Sequence, residues 1–171
     1  LYFKQRSNKS EFVWGKIFVS RISADECEFR DMEWYGVDRQ GNIAVFCSGG
    51  VGNLPEFICE SEERADELME YFDKIPKSTN SILIFPKTKI GRVEQTAKDF
   101  SDKGLYYFDS DDGTKLEVAT LHKYYTKHSY PEKPLKYDLL PKHIREILKY
   151  NFIEIEDFSL VDTIDTKHAY V

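Results

Sequence analysis

The sequence predicts an α+β domain: a largely antiparallel sheet built from two hairpins and packed with about three helices. Two observations carry this. Twice, a pair of β-prone runs is joined by a short Asp/Gly turn, and a hairpin demands antiparallel pairing. Between and after those pairs lie segments whose apolar residues repeat at helical spacing.

The elements follow in chain order. Phe12 to Val19 (FVWGKIFV) is an apolar run that predicts a strand. Glu33–Val37 and Asn42–Cys47 form the first hairpin, with Asp38 opening the turn and Gly41 closing it. The loop Ser48-Gly49-Gly50-Val51-Gly52-Asn53-Leu54-Pro55 leads to the clearest helix, capped by Ser61 and stopped by Pro76. Ala65, Leu68, Met69, Phe72 and Ile75 give that helix a buried stripe, while Glu62, Glu63, Asp66, Glu67, Glu70 and Asp73 occupy the rest. Ser81 to Phe85 reads as a short buried strand. Ile90, Val93, Ala97 and Phe100 mark a second helix ending near Gly104. Leu105–Phe108 and Lys115–Tyr125 predict the second hairpin across Asp109–Gly113, after which Tyr130–Pro134 breaks into extended chain. A third helix starts at Pro141 and buries Ile144, Ile147 and Leu148. Apolar and acidic residues alternate from Phe152 to Leu160, predicting a final strand.

A chain of 171 residues fits one domain. Its opening letters, Leu1-Tyr2-Phe3, resemble the end of a common protease-cleavage linker. Residues 1–8 are therefore set aside, and the single domain is taken as 9–171. No apolar run approaches the ~20 residues that cross a bilayer, and no secretory signal pattern is present. Cys27, Cys47 and Cys59 are odd in number and lack CxxC spacing, which fits free thiols in a reducing, cytoplasmic compartment. The formal charge of −6 is unevenly spread. Asp25 to Asp73 holds 14 acids against three arginines, a net of −11, which leaves +5 on the remainder. So acidic a stretch repels phosphates and suits a basic partner; a merely solvated helix face is the plainer explanation.

Each candidate for chemistry fails at a named position. The Gly-rich loop lacks a GxxxxGK[ST] pattern, and Asn53-Leu54-Pro55 stands where a dinucleotide fingerprint needs its third glycine. Asp109 to Gly113 resembles a calcium loop, but Thr120 occupies the place of the bidentate Glu. His122, His128, His143 and His168 form no zinc spacing, so no metal is expected. Phe46-Cys47 precede Ser48, so no nucleophile elbow forms there. The cysteines read as small buried hydrophobes. Lys123 to Tyr130 interleaves bases with aromatics, as stacking platforms for single strands do. Lysines protecting a strand edge explain that stretch equally well, and nucleic acid is not the expected partner. No catalytic residue and no cofactor are predicted, and the expectation is a non-enzyme.

One segment goes further. Glu33-Trp34-Tyr35-Gly36-Val37-Asp38-Arg39-Gln40-Gly41-Asn42-Ile43-Ala44-Val45-Phe46-Cys47-Ser48-Gly49-Gly50 resembles a module of small uncharacterised bacterial proteins, some of them similar to immunity proteins of polymorphic toxin systems. The acidic helix ending in Tyr71-Phe72, the Pro131–Pro141 stretch and the Phe152–Phe158 segment are similar in outline. The resemblance implies a non-catalytic protein that covers a toxin, possessing no catalytic residues to carry over. With the charge asymmetry, it makes Glu63, Glu67 and Glu70 of the helix and Ser48, Gly49, Gly50 and Asn53 of the loop the candidate partner-binding residues, with a basic toxin domain as the protein partner. The alternative is a small-molecule-binding protein or enzyme with a pocket near the Gly-rich loop.

Overall fold

A computed structural model of the chain describes residues 20–23, 26, 30–50, 53–84, 91–110 and 124–165. The expected strand at Phe12–Val19 lies outside them. Among the described residues the chain folds as an α+β domain around one six-stranded sheet.

Strands β1 (Glu33–Val37) and β2 (Ile43–Cys47) pair antiparallel, from Glu33↔Cys47 to Val37↔Ile43. The expected hairpin is present. Its turn needs Gly41, whose φ is +74°. The chain then runs through helices α1 (Glu56–Cys59) and α2 (Glu62–Lys74), strand β3 (Ser81–Leu83) and helix α3 (Arg92–Asp102) before reaching β4 (Tyr106–Asp109). β4 lies against β2 in parallel, pairing Ala44↔Tyr106 to Cys47↔Asp109. The sheet is thus mixed, with one parallel pair that the two hairpins did not announce. Parallel neighbours need a long crossover, and the helical segment between them supplies it.

β5 (Tyr124–Pro131) pairs antiparallel with β4, as a second hairpin should. The expected partner strand, Lys115–Tyr125, overlaps β5 only at its last two residues, and residues 111–123 lie outside the described part. The predicted break at Tyr130 falls inside β5, because Pro131 closes the strand rather than interrupting it. Two three-residue strands share the far side of β5: β3 pairs with Ser129–Pro131, and β6 (Thr163–Asp165) with Tyr124–Thr126. β3 is half-exposed rather than buried, with Ile82 on the surface.

Helix α4 (Lys142–Leu148) starts after Pro141 and buries Ile144 and Leu148 as its pattern predicts, while Ile147 is only half-buried. Phe152–Leu160 does not form a strand. Asn151, Ile153 and Ile155 are buried while Phe152, Glu154 and Glu156 face out, so the alternation is real. Only Phe152 bridges to Val37, and the segment ends in a 3-10 turn at Phe158–Leu160. Extended chain laid on a sheet shows the same period as a paired strand.

Alternation also divides the core. Tyr35, Val37, Ile43, Val45 and Tyr107 face α2, α3 and α4, packing on Leu68, Phe72, Ala97, Phe100 and Ile144. Trp34, Ala44, Phe46, Tyr106 and Phe108 face the opposite way, beneath Ile58, Ile153, Ile155 and Phe158. There Trp34 stacks on Phe46 at 3.9 Å between ring centroids, and Phe46 stacks on Phe108 at 5.1 Å. A sheet covered on both faces needs such two-sided apolar strands.

Two carboxylates hold this arrangement. Asp38 is fully buried and accepts from the backbone N–H of Gln40 at 3.0 Å, Asn42 at 2.8 Å and Phe158 at 2.7 Å, and from Asn42 Nδ2 at 2.8 Å. Burial raises its carboxyl above the usual range, with these donors opposing the rise. Asp102, at the end of α3, accepts from Ser81 N–H at 2.9 Å, Lys77 Nζ at 3.1 Å and Lys98 Nζ at 2.6 Å. Its backbone oxygen takes Ser78 N–H and Thr79 N–H as well, so it anchors the approach to β3. Beyond it, Gly104 sits at φ +96°, where a Cβ would lie 2.9 Å from Leu135 N.

Asp38→Ala strands four donors at once, three of them in buried bonds, and is expected to cost ~3–5 kcal/mol in urea unfolding; a loss under ~1 kcal/mol would show the network to be dispensable. Asp102 behaves differently with pH. Burial opposes its ionisation, but the donors from Lys98, Lys77 and Ser81 prevail and hold it at about 2. A depressed carboxyl stabilises above its unfolded value of ~3.9 and loses that contribution as pH falls through the folded one. Between pH ~4 and ~2 the wild type should therefore lose ~2 kcal/mol that Asp102→Asn does not lose, read from paired urea titrations.

Candidate functional site

The acidic helix is built as its residues dictate. Ser61 caps α2 by accepting from Arg64 N–H at 3.2 Å, and Glu62 and Glu63 lie in the first turn, where the helix dipole favours them. Leu68 and Phe72 drop into the core, and Tyr35 stacks on Phe72 at 4.5 Å. Met69, at helical spacing in the sequence, is instead 44 % exposed.

Glu63, Glu67 and Glu70 are all exposed on α2, but the chain answers them unequally. Glu63 accepts from Ser20 N–H through both carboxylate oxygens, at 2.9 and 3.1 Å; its own backbone N–H first, and Ser20 with it, lower its pKa. Glu70 pairs with Lys74 one turn on. Nearby, Arg30 meets Glu62 at 2.6 Å and Arg64 meets Glu60 at 3.0 Å. Exposed pairs of this kind are worth under ~1 kcal/mol, yet they take up part of the local negative charge. Glu67 makes no ion pair or hydrogen bond with any described residue.

Glu67 and Glu70 also edge a groove of about 430 Å³ between α2 and α4, together with Tyr71, Lys74, Ile75, Pro76, His143 and Ile144. Its lining is mainly apolar. His143 stands on the α4 side with its ring edge toward Tyr71, 6.5 Å between centroids. The sequence carried no signal for this groove, because it exists only where α4 packs on α2, some 70 residues away in the chain.

The loop candidates sit elsewhere. Ser48 is buried; its hydroxyl accepts from Met32 N–H at 2.8 Å and donates to Arg30 O, and its carbonyl accepts from Ser110 Oγ at 2.7 Å. It ties the end of β2 to its neighbours and offers a partner no side chain. Gly49 and Gly50 adopt φ of +56° and +74°, a left-handed turn that glycine serves without strain. Asn53 is half-buried, and its carbonyl accepts from Tyr125 OH at 3.0 Å. Val51 and Gly52 lie outside the described residues. None of the loop residues lines the groove, so the acids and the loop do not form one pocket.

Where β2 meets the loop, Cys47 lies beside Tyr107, whose hydroxyl donates to Asp109 at 2.9 Å. Burial raises the Cys47 thiol far above its ordinary value, the Tyr107 hydrogen bond pulls against this, and the Glu33, Asp109 and Asp31 carboxylates add to the rise. Tyr35, within the same core, has a buried hydroxyl with no partner among the described residues. Lys127, in the stretch that interleaves bases with aromatics, is buried and donates to Phe158 O at 3.0 Å and Ser159 O at 3.3 Å, so it caps a 3-10 turn rather than awaiting a phosphate.

No family model, no curated protein and no solved structure matches the chain. Geometry and charge must therefore carry the functional reading. Among the described residues no group of three His, Cys, Asp or Glu side chains is placed to hold a metal ion, and no helix is long and apolar enough to cross a membrane.

A thiol held protonated reacts slowly. At pH 8, alkylation of Cys47 in the folded protein, followed by peptide mapping, should run at least ~100-fold slower than in urea; equal rates would show an accessible thiolate.

Proposed function

We propose that this is a non-catalytic binding protein of the immunity type, which covers a basic toxin domain through the acidic face of α2. The observation that carries the reading is Glu67: an exposed carboxylate without a partner among the described residues, on a helix with six acids, at the lip of an apolar groove. Complementary charge speeds encounter and orients the partner, while apolar contact beside it supplies affinity. The resemblance of the Glu33–Gly50 module to immunity-like proteins supports the same reading. Gly49, Gly50 and Asn53, apart from the groove at the end of β2, are a second candidate contact, and Ser48 shapes that turn.

The alternative, a small-molecule-binding protein or enzyme near the Gly-rich loop, draws on the Cys47–Tyr107–Asp109 contact. Burial weakens it, since the thiol is kept from forming the thiolate that nucleophilic chemistry needs.

The test is retention of a basic protein from extracts of the source cells by the immobilised full chain, followed by inhibition of that protein's toxic activity. Binding should survive ~50 mM salt, fall in ~0.5 M salt, and drop at least ~10-fold when Glu63, Glu67 and Glu70 are all changed to Lys. Retention that ignores both salt and charge reversal, or a retained protein whose activity is unaffected, would overturn the proposal.

A further inference from the structure

The groove between α2 and α4 has a polarity that the acidic helix alone does not. Its α2 wall carries Glu67, Glu70 and Lys74, and its α4 wall carries His143. Glu70 is already paired with Lys74, so the negative charge left for an incoming group is that of Glu67. Between the walls, Tyr71, Ile75, Pro76 and Ile144 make an apolar floor. Ile144 is fully buried from below, whereas Tyr71 and Ile75 are half-exposed and Pro76 is exposed. The groove holds about 430 Å³ and lies open to solvent along its mouth.

We propose that this groove docks one amphipathic helical segment of a protein partner, its apolar stripe on the floor and a Lys or Arg on the flank that meets Glu67. The inference rests on the recognition role given to this face and adds to it a specific occupant. A channel between two helices presents the surface into which a third helix lays side chains one turn apart. Apolar anchors at i and i+4 answer Tyr71 and Ile75, which are themselves four residues apart on α2. Glu67, which has no partner among the described residues, then selects the charge of the flank on the α2 side of the groove. The occupant is thereby oriented as well as attracted. A uniformly basic partner without an apolar stripe satisfies the charge and leaves the floor in water.

The experiment uses the full chain and three synthetic helical peptides of equal length. One carries Leu at i and i+4 with Lys on one flank; one replaces the Leu by Ser; one replaces the Lys by Glu. Fluorescence anisotropy gives affinities, and amide shifts of the isotope-labelled protein give the location. The Leu/Lys peptide should bind at least ~10-fold tighter than either control, with shifts at Tyr71, Ile75 and His143. Glu67→Lys should remove that preference, while Glu154→Lys, at an exposed position on the segment that covers the opposite face of the sheet, should change it less than ~2-fold. Equal binding of the Leu/Lys and Ser/Lys peptides, or equal loss with Glu154→Lys and Glu67→Lys, would overturn the groove proposal. Shifts confined to other faces would overturn it too, as would groove signals that move on dilution without peptide, since these place a second copy there. If the partner of the preceding test is retained and charge-sensitive but the peptides fail, only the occupant is wrong.

Discussion

Four donors converge on the Asp38 carboxylate, and three of them come from its own turn while the fourth comes from Phe158, 120 residues on. Everything on the far side of the sheet is indexed by that bond. It fixes the level at which the Phe152–Phe158 segment crosses β1, which lets Ile153, Ile155 and Phe158 close over Trp34, Phe46 and Phe108. Val37 N–H donates to Asn151 O and Val37 O accepts from Ile153 N–H, so the same segment also covers the outer edge of β1. Asn42 extends the network outward, with its Oδ1 accepting from Lys136 Nζ at 2.6 Å. A turn residue has become the joint between two distant parts of the chain.

That joint changes the meaning of the segment that resembles immunity-like proteins. Its letters Asp38, Gly41, Asn42 and Ser48 are absorbed into internal hydrogen bonds or a left-handed turn; Trp34 and Phe46 form the stack beneath the tail, and Tyr35 packs on Phe72 on the other face. The module builds a scaffold. The surface offered to a partner comes instead from α2, where the scaffold demands only that Leu68 and Phe72 face inward. The exposed positions of that helix are free to carry charge at little cost to the fold.

What the sequence revealed follows the range of each interaction. The β1–β2 turn, the Ser61 cap, the Pro141 start and the apolar stripe of α2 all depend on residues within a few positions of one another, and all could be read. The parallel β2–β4 pair, the groove and the Lys127 cap depend on contacts across tens of residues, and no local pattern encodes them. Phe152–Leu160 failed for a different reason. Its period of two records which side chains are buried, and extended chain pinned by Asp38 and Asn151 buries them as a paired strand would. Among the site residues, burial of Ser48 was hidden because a serine before two glycines looks like an exposed turn, whereas its hydroxyl holds Met32.

The parallel pairing of β2 with β4 also bears on the order in which the molecule assembles. The β1–β2 hairpin needs only its own turn and can form in microseconds. Ser48 and Ser110, which join the ends of β2 and β4, are 62 residues apart, and the Asp38–Phe158 bond spans 120. Each such closure spends chain entropy before any contact repays it, so the sheet's long-range half sets the folding rate. A chain emerging from a ribosome would therefore hold a completed hairpin with its Trp34 face bare until residues 152–158 arrive. The tail that closes over Trp34 is, in time as well as in space, the lid on the nucleus.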